Sequence, residues 1–227
     1  NPLFDWDYME KDGYSWWVAR IQYLCNVYDM LRIDHFRGFD SYFAIPYGDA
    51  NAQRGHWKQG PGMDLFSTVE QKIGKQNIMA EDLGYMTDSV KKLLSDSGFP
   101  GIKLLQFAFD SRDGGGDMYL PENYPENCVA YTGTHDNETI VGWWKSITAA
   151  ERKLARDYLC DHATPEEELY KCFISLIMRS AARVCVIPMQ DYMGLDNRFR
   201  MNKPSTVGTN WKWRIKKRDL TKKLQKE

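Results

Sequence analysis

The sequence predicts an α/β fold of the (β/α)8-barrel type, with five strand–helix units in an incomplete barrel. Three observations predict it. Short apolar runs alternate with longer amphipathic stretches, the pattern of parallel strands covered by helices. The runs are mostly apolar, as in strands buried on both faces. Acidic residues and long loops recur at the C-terminal ends of those runs, where such barrels build their sites. At 227 residues the chain can form one domain, 1–227, with a sizeable core. No interdomain linker or repeat interrupts it. A doubly wound sheet is the alternative, but no GxGxxG follows a strand, and Gly114-Gly115-Gly116 opens no clear helix.

The elements follow in order. Residues 14–30 read as a helix with Trp17, Ile21, Leu24 and Tyr28 on one face. The first strand is 30–34. A connection over 38–62, with Gly55, Gly60, Pro61 and Gly62, is too long to be idle in a compact domain. A helix over 63–75 has Asp64 near its start and Gly74 near its end. The second strand is 77–81. A helix over 87–97 is capped by Thr87 and stopped by Gly98 and Pro100. The third strand is 102–107, followed by a Gly- and Pro-rich loop over 110–127. The fourth strand is 128–132. Helices over 149–160 and 165–182 come next, the second opened by Thr164-Pro165-Glu166. The fifth strand is 183–188, and 189–213 is irregular and polar-aromatic.

Charge is nearly balanced, with 30 basic and 31 acidic residues. That gives no electrostatic case for nucleic acid or an anionic membrane. The lysine-rich tail is broken by acids and reads as a solvated face. No apolar window of ~20 residues offers a membrane span. The five cysteines, Cys25, Cys128, Cys160, Cys172 and Cys185, form no CxxC pair. Their number and spacing argue against a disulfide framework or structural zinc and for a reducing, cytoplasmic compartment. Aromatic content is high, at 8 Trp, 13 Tyr and 10 Phe. Such rings build a core or serve as platforms for sugar faces.

Three acids carry the chemistry. Asp34 ends the apolar approach of Leu31-Arg32-Ile33-Asp34-His35-Phe36-Arg37-Gly38-Phe39. Glu81 ends Ile78-Met79-Ala80-Glu81-Asp82-Leu83-Gly84, and Asp136 lies in Tyr131-Thr132-Gly133-Thr134-His135-Asp136-Asn137-Glu138-Thr139. Guanidinium groups keep a carboxylate ionised and aromatic rings exclude water around it. Arg32 and Asp34 share one face of a strand. Retaining cleavage of a glycosidic bond needs one ionised and one protonated carboxyl about 5–5.5 Å apart. Asp34 suits the nucleophile and Glu81 the acid/base. Asp136, beside His135, suits the binding of sugar hydroxyls and the stabilisation of positive charge. Singly, each motif also fits an ion pair, a helix-start acid pair or a turn. Recurrence at equivalent points of successive units favours the sugar-cleaving site. The four histidines have no metal-ligand spacing, and no G-x-S-x-G elbow supports a serine hydrolase.

These motifs carry a resemblance. The chain resembles the C-terminal part of the 4-α-glucanotransferase family, the amylomaltases or disproportionating enzymes, related to the α-amylase clan. The likeness runs through Asn1-Pro2-Leu3-Phe4-Asp5-Trp6, Gly13-Tyr14-Ser15-Trp16-Trp17, residues 31–39, Gly60-Pro61-Gly62, residues 80–84, Asn123-Tyr124-Pro125 and residues 131–139. It ends with Arg200-Met201-Asn202-Lys203-Pro204 and Asn210-Trp211-Lys212-Trp213-Arg214. It implies the last five units of the catalytic barrel. It implies Asp34 as nucleophile, Glu81 as acid/base and Asp136 as transition-state stabiliser. Arg32, His135 and Asn202 would contact substrate and Phe107 would line the site. The implied substrates are α-1,4-glucans and maltooligosaccharides, with no cofactor and no metal. A hydrolase of the same clan, or a non-catalytic glucan-binding fragment, are the alternatives. Members begin their barrel before Asn1 and continue past Glu227, and Ser205 stands where many have Gly. An opened barrel exposes edge strands and core side chains, so the isolated chain is expected to be nearly inactive and to self-associate.

Overall fold

The computed structural model describes residues 2–84, 86–111, 116–222 and 224–226. The chain divides into two compact units, Asn1–Ile102 and Lys103–Glu227.

The first unit opens with α1 (Trp6–Lys11) and α2 (Ser15–Val27). Asp5 caps α1 by accepting from the Tyr8 N–H at 3.0 Å. Two parallel strands, β1 (Leu31–Ile33) and β4 (Ile78–Ala80), pair in the register Leu31↔Ile78, Arg32↔Met79, Ile33↔Ala80. Between them lie an antiparallel hairpin, β2 (Ser41–Ala44) with β3 (His56–Gln59), and α3 (Gly62–Ile73). α4 (Asp88–Ser97) follows β4. Thr87 accepts from the Val90 N–H, and Gly98 ends α4 at a φ of 65° that favours glycine. Ile21, Ile33, Phe36, Phe39, Leu65, Phe66, Val69, Ile78, Ala80 and Leu93 form the core. Apolar faces of α2, α3 and α4 thus cover the strand pair that ends in Asp34 and Glu81.

The division falls within β5 (Gly101–Leu104), which heads a sheet of order β5-β6-β7. β6 (Cys128–Tyr131) is fully buried and pairs in parallel with β7 (Val184–Val186), Ala130 facing Cys185. α5 (Ile140–Ser146), α6 (Ala149–Leu159) and α7 (Leu169–Met178) lie between them, and α8 (Met189–Tyr192) follows. Phe109, Trp143, Trp144 and Phe173 form an aromatic cluster with ring centroids 5.4–6.3 Å apart.

Several expectations need correction. The first helix stops at Val27, and Tyr28 is extended and exposed. The chain must straighten there, because Leu31 N–H and Asp29 O bind Asn77 at 2.9 and 3.2 Å. The third strand stops at Leu104, and Leu105–Phe109 coils into a 3-10 helix. The helical turns among the described residues between β5 and β6 are all of the 3-10 kind, Gly116–Tyr119 and Pro121–Asn123 among them, so no α-helix joins these two strands among the described residues. Its Gly and Pro content disfavours one. Residues 112–115, with two glycines of the 114–116 triplet, lie outside the described residues. The helix expected over 165–182 is Leu169–Met178. Glu168 and Leu169 first make turn bonds to Pro165 and Glu166, and Ser180 Oγ takes the Ile177 carbonyl at its end. The 38–62 connection holds a hairpin. The fifth strand is not buried on both faces, since Val184 and Val186 are 37% and 41% exposed.

Candidate active site

In the first unit, three of the residues singled out come together. Asp34 and Glu81 each lie one step past the last paired residues, Ile33↔Ala80. Adjacent strands run about 4.8 Å apart, so the two acids start from neighbouring backbone positions. Arg32 donates from Nη2 to Asp34 Oδ1 at 2.8 Å. Its side chain is mostly buried while that of Asp34 is 80% exposed, so the strand presents a largely buried cation to a solvent-facing anion.

Glu81 is held by the chain around it. Its N–H donates to Ile33 O at 2.8 Å, and its O accepts from Phe36 N–H at 3.0 Å. Its carboxylate accepts from two backbone donors, His35 N at 2.6 Å and Leu83 N at 3.2 Å. His35, next to Asp34, adopts a left-handed φ of 49°, which turns the chain abruptly at the strand end. The neighbouring side chains differ from expectation. Arg37 stacks its guanidinium over Trp57, 4.8 Å from the ring centre. Phe36 and Phe39 are buried against Phe66 beneath the loop, at 5.5 and 5.3 Å between centroids. They support the loop and do not shield the Asp34 carboxylate.

In the second unit, His135, Asp136 and Asn202 meet. Asn202 Nδ2 donates to Asp136 Oδ1 at 2.5 Å, and His135 Nε2 lies 3.4 Å from Oδ2. The Asn202 N–H donates to His135 O at 3.1 Å, and Arg200 Nη2 to Asp136 O at 2.8 Å. The His135 ring lies 5.1 Å from that of Trp211. The loop is shaped from within, because Asn137 Oδ1 accepts from Thr134 N and Oγ1 at 2.9 and 2.6 Å. A cleft of about 510 Å³ is lined by Asp136, Phe107, Gln106, Glu138, Glu151 and Arg200, among others. Phe107 sits edge-on to Tyr119 at 5.3 Å. Arg200 Nε is buried without a hydrogen-bond partner, a donor beside the cleft.

Beside that cleft Glu151 accepts from Ser111 N and Oγ and from Thr148 N and Oγ1, at 2.7–3.0 Å. Backbone hydrogen bonds from Thr148 and Ser111 hold its pKa down at about 2. Burial pushes Asp191 up to about 6, against the hydrogen bonds it accepts from Thr132 and Ile140. Among the described residues no group of three or more His, Cys, Asp or Glu is placed to hold a metal ion. No helix there is long and apolar enough to cross a membrane. All five cysteines are free thiols.

Sequence reasoning missed Arg200, Trp211, Asn137, Glu151 and Asp191 as parts of this arrangement. The spacing Thr148-x-x-Glu151 was a readable capping signal. Nothing local marks Asp191, whose partners lie 51 and 59 residues away.

Residues 1–221 match the family model described as 4-alpha-glucanotransferase. The chain belongs to the 4-alpha-glucanotransferase family. It is 46% identical over 228 residues to a 4-alpha-glucanotransferase of Clostridium butyricum, covering 99% of this chain and 45% of the relative. It is 47% identical over 215 residues to the chloroplastic/amyloplastic 4-alpha-glucanotransferase of Solanum tuberosum, covering 95% of this chain and 37% of that protein. Amylomaltase from Streptococcus agalactiae, solved in complex with acarbose, superposes with a TM-score of 0.93 at 38% identity. That match covers 100% of this chain and 45% of the amylomaltase chain. The fold is therefore α/β of the amylomaltase kind. The chain spans less than half the length of these relatives.

Proposed function

We propose that the protein containing this chain is a 4-alpha-glucanotransferase that moves α-1,4-glucan segments between maltooligosaccharides or longer glucans. The observation that carries the reading is the pair of carboxylates one step past the β1–β4 ladder, with Arg32 bonded to one of them. Asp34, exposed and paired with a guanidinium, attacks the anomeric carbon of a bound glucan. Glu81 delivers a proton to the departing oxygen, leaving a glucosyl ester on Asp34. The 4-hydroxyl of a second glucan, giving its proton to Glu81, then displaces the ester with overall retention. Asp136 stabilises the oxocarbenium-like transition state, and its bond from Asn202 keeps the carboxylate fixed for that task. Arg32, His135 and Asn202 bind sugar hydroxyls, and Phe107 lines the cleft. The reaction needs no cofactor.

We further place both compact units in one (β/α)8 barrel domain, of which this chain supplies about five strand units. The likeness to amylomaltase across the full chain supports this. Free thiols support the cytoplasm as its compartment. The exposed face of β7 supports self-association and little or no activity for the 227-residue chain by itself; light scattering and assay of that chain test both.

The deciding experiment incubates the whole protein with maltotriose. A ladder of longer and shorter oligomers, abolished by Asp34→Asn, is expected. Glucose and maltose alone would make it a hydrolase, and no turnover would refute both.

A further inference from the structure

The loop that carries His135 and Asp136 is gripped from below by one buried turn. α8 presents two adjacent polar side chains to the interior, Gln190 at 5% and Asp191 at 1% exposure. Asp191 uses one oxygen for each of two donors. Oδ2 accepts from Thr132 Oγ1 at 2.5 Å, and Oδ1 from the Ile140 N–H at 2.8 Å. Those donors bracket the loop, since Thr132 follows β6 and Ile140 opens α5. Gln190 Nε2 donates to Phe199 O at 3.1 Å, just before Arg200 and Asn202. Those two residues reach back to Asp136, at its carbonyl and its carboxylate.

We propose that Gln190 and Asp191 are positioning residues that together set the Asp136 carboxylate, Asp191 through the loop and Gln190 through the strand of residues that supplies Asn202. The inference rests on the role proposed above for Asp136. A carboxylate suits position 191 because two donors point at it and water cannot reach it. A carboxamide offers one acceptor: with its oxygen on the Ile140 N–H, its amide donates to the Thr132 hydroxyl oxygen, and the buried Thr132 hydroxyl proton loses the acceptor it had. Retaining an acid in a site whose burial raises its pKa to about 6 is understandable if both donors must be met.

The test is Asp191→Asn in the whole protein, read in two ways. Amide hydrogen exchange follows residues 132–140 and 199–202 against α6 and α7. Steady-state kinetics on maltotriose are measured in the parent and in an Asp136→Asn background. Exchange should quicken about tenfold in the two segments and stay unchanged in α6 and α7. The kcat should fall about 10–100-fold, with KM within about threefold, as expected for losing one charge-assisted hydrogen bond's worth of alignment. In the Asp136→Asn background the same change should cost nothing further, because its effect runs through Asp136. Unchanged exchange, a general rise that includes α6 and α7, or the full loss persisting beside Asp136→Asn would each overturn the proposal. If Asp191→Asn does not fold, Thr132→Val removes a single donor and is read by the same criteria. A parent without disproportionation would sink the proposed function, while the exchange data would still decide whether the clamp exists.

Discussion

Glu151→Ala should destabilise the unit that carries the Asp136 loop by about 2–4 kcal/mol. Glu151 is 6% exposed and its carboxylate closes a capping box on Thr148 while tethering Ser111 through two further hydrogen bonds. The Thr148 Oγ1 cap on the backbone N–H of residue 151 survives the change, but the Thr148 and Ser111 hydroxyls lose the carboxylate they donate to, at about 0.5 kcal/mol each. The Thr148 and Ser111 N–H groups also lose their acceptors, at about 1 kcal/mol each where water enters only in part. For a chain of this size, about 3 kcal/mol corresponds to a fall in melting temperature of about 6–12 °C. The effect has a pH signature. The folded pKa, about 2, lies below the ordinary value of 4.5. The stabilisation is therefore fully present above about 4.5 and is lost as pH falls toward 2. Parent and variant melts, followed by near-UV circular dichroism at pH 7 and at pH 3, should differ widely at the first and less at the second, where the folded carboxylate is still largely ionised, and the gap should close only as pH nears 2. A variant melting within a degree of the parent at pH 7, or a gap unchanged at pH 3, would refute the reasoning.

Other expectations concern single side chains. Asp34→Asn should abolish transfer from both maltotriose and α-glucosyl fluoride, whereas Glu81→Gln should regain part of its first step with the fluoride, whose leaving group needs little protonation; burst and steady-state rates with each donor check this, and the opposite pattern reverses the two roles. Asn202→Ala removes the 2.5 Å bond to Asp136 and should lower kcat about 10–100-fold by the worth of a charge-assisted hydrogen bond, measured on maltotriose. At Gly142 a Cβ would overlap the Asn197 carboxamide, which accepts from Thr139 N at 3.3 Å and donates to Glu138 at 2.6 Å. Gly142→Ala should cost about 1–3 kcal/mol, with part recovered by adding Asn197→Ala, both read from chemical denaturation.

Period and punctuation made much of the fold legible. Thr87 and Gly98 bound α4, and Gly74 closes α3 at a φ of 75°, as their residue types demand. β6 reads as an unbroken apolar run because both its faces are covered. The β2–β3 hairpin was hidden because eleven residues separate its nearest partners, Ala44 and His56, and the intervening loop follows no short-turn pattern. β7 misled for the opposite reason: Val184 and Val186 have strand chemistry whether or not anything covers them. At the candidate site, Arg32 with Asp34 was readable because two residues on one strand share a face. The contacts of Asn202 and Arg200 with the Asp136 loop join positions 64 and 66 residues apart. Only the family motif, and no local pattern, pointed to Asn202. The fixing of Asp136 by Asp191 is longer-range still in its logic, since it passes through backbone.

The hydrogen bond from the His35 N–H to Glu81 makes the two candidate catalytic acids mechanically dependent. The peptide that receives Glu81's carboxylate is the one that follows Asp34, so a displacement of either strand end is transmitted to the other. The separation between attacking and proton-donating groups then depends on a backbone link as well as on two side-chain rotamers. The same link makes substitution at position 81 asymmetric with substitution at 34. A glutamine has one oxygen for two backbone N–H groups, those of His35 and Leu83, and its amide must face one of them. Glu81→Gln thus loosens the ground on which Asp34 stands as well as removing a proton, and activity rescued by a better leaving group should stop short of the parent's by the amount of that loosening.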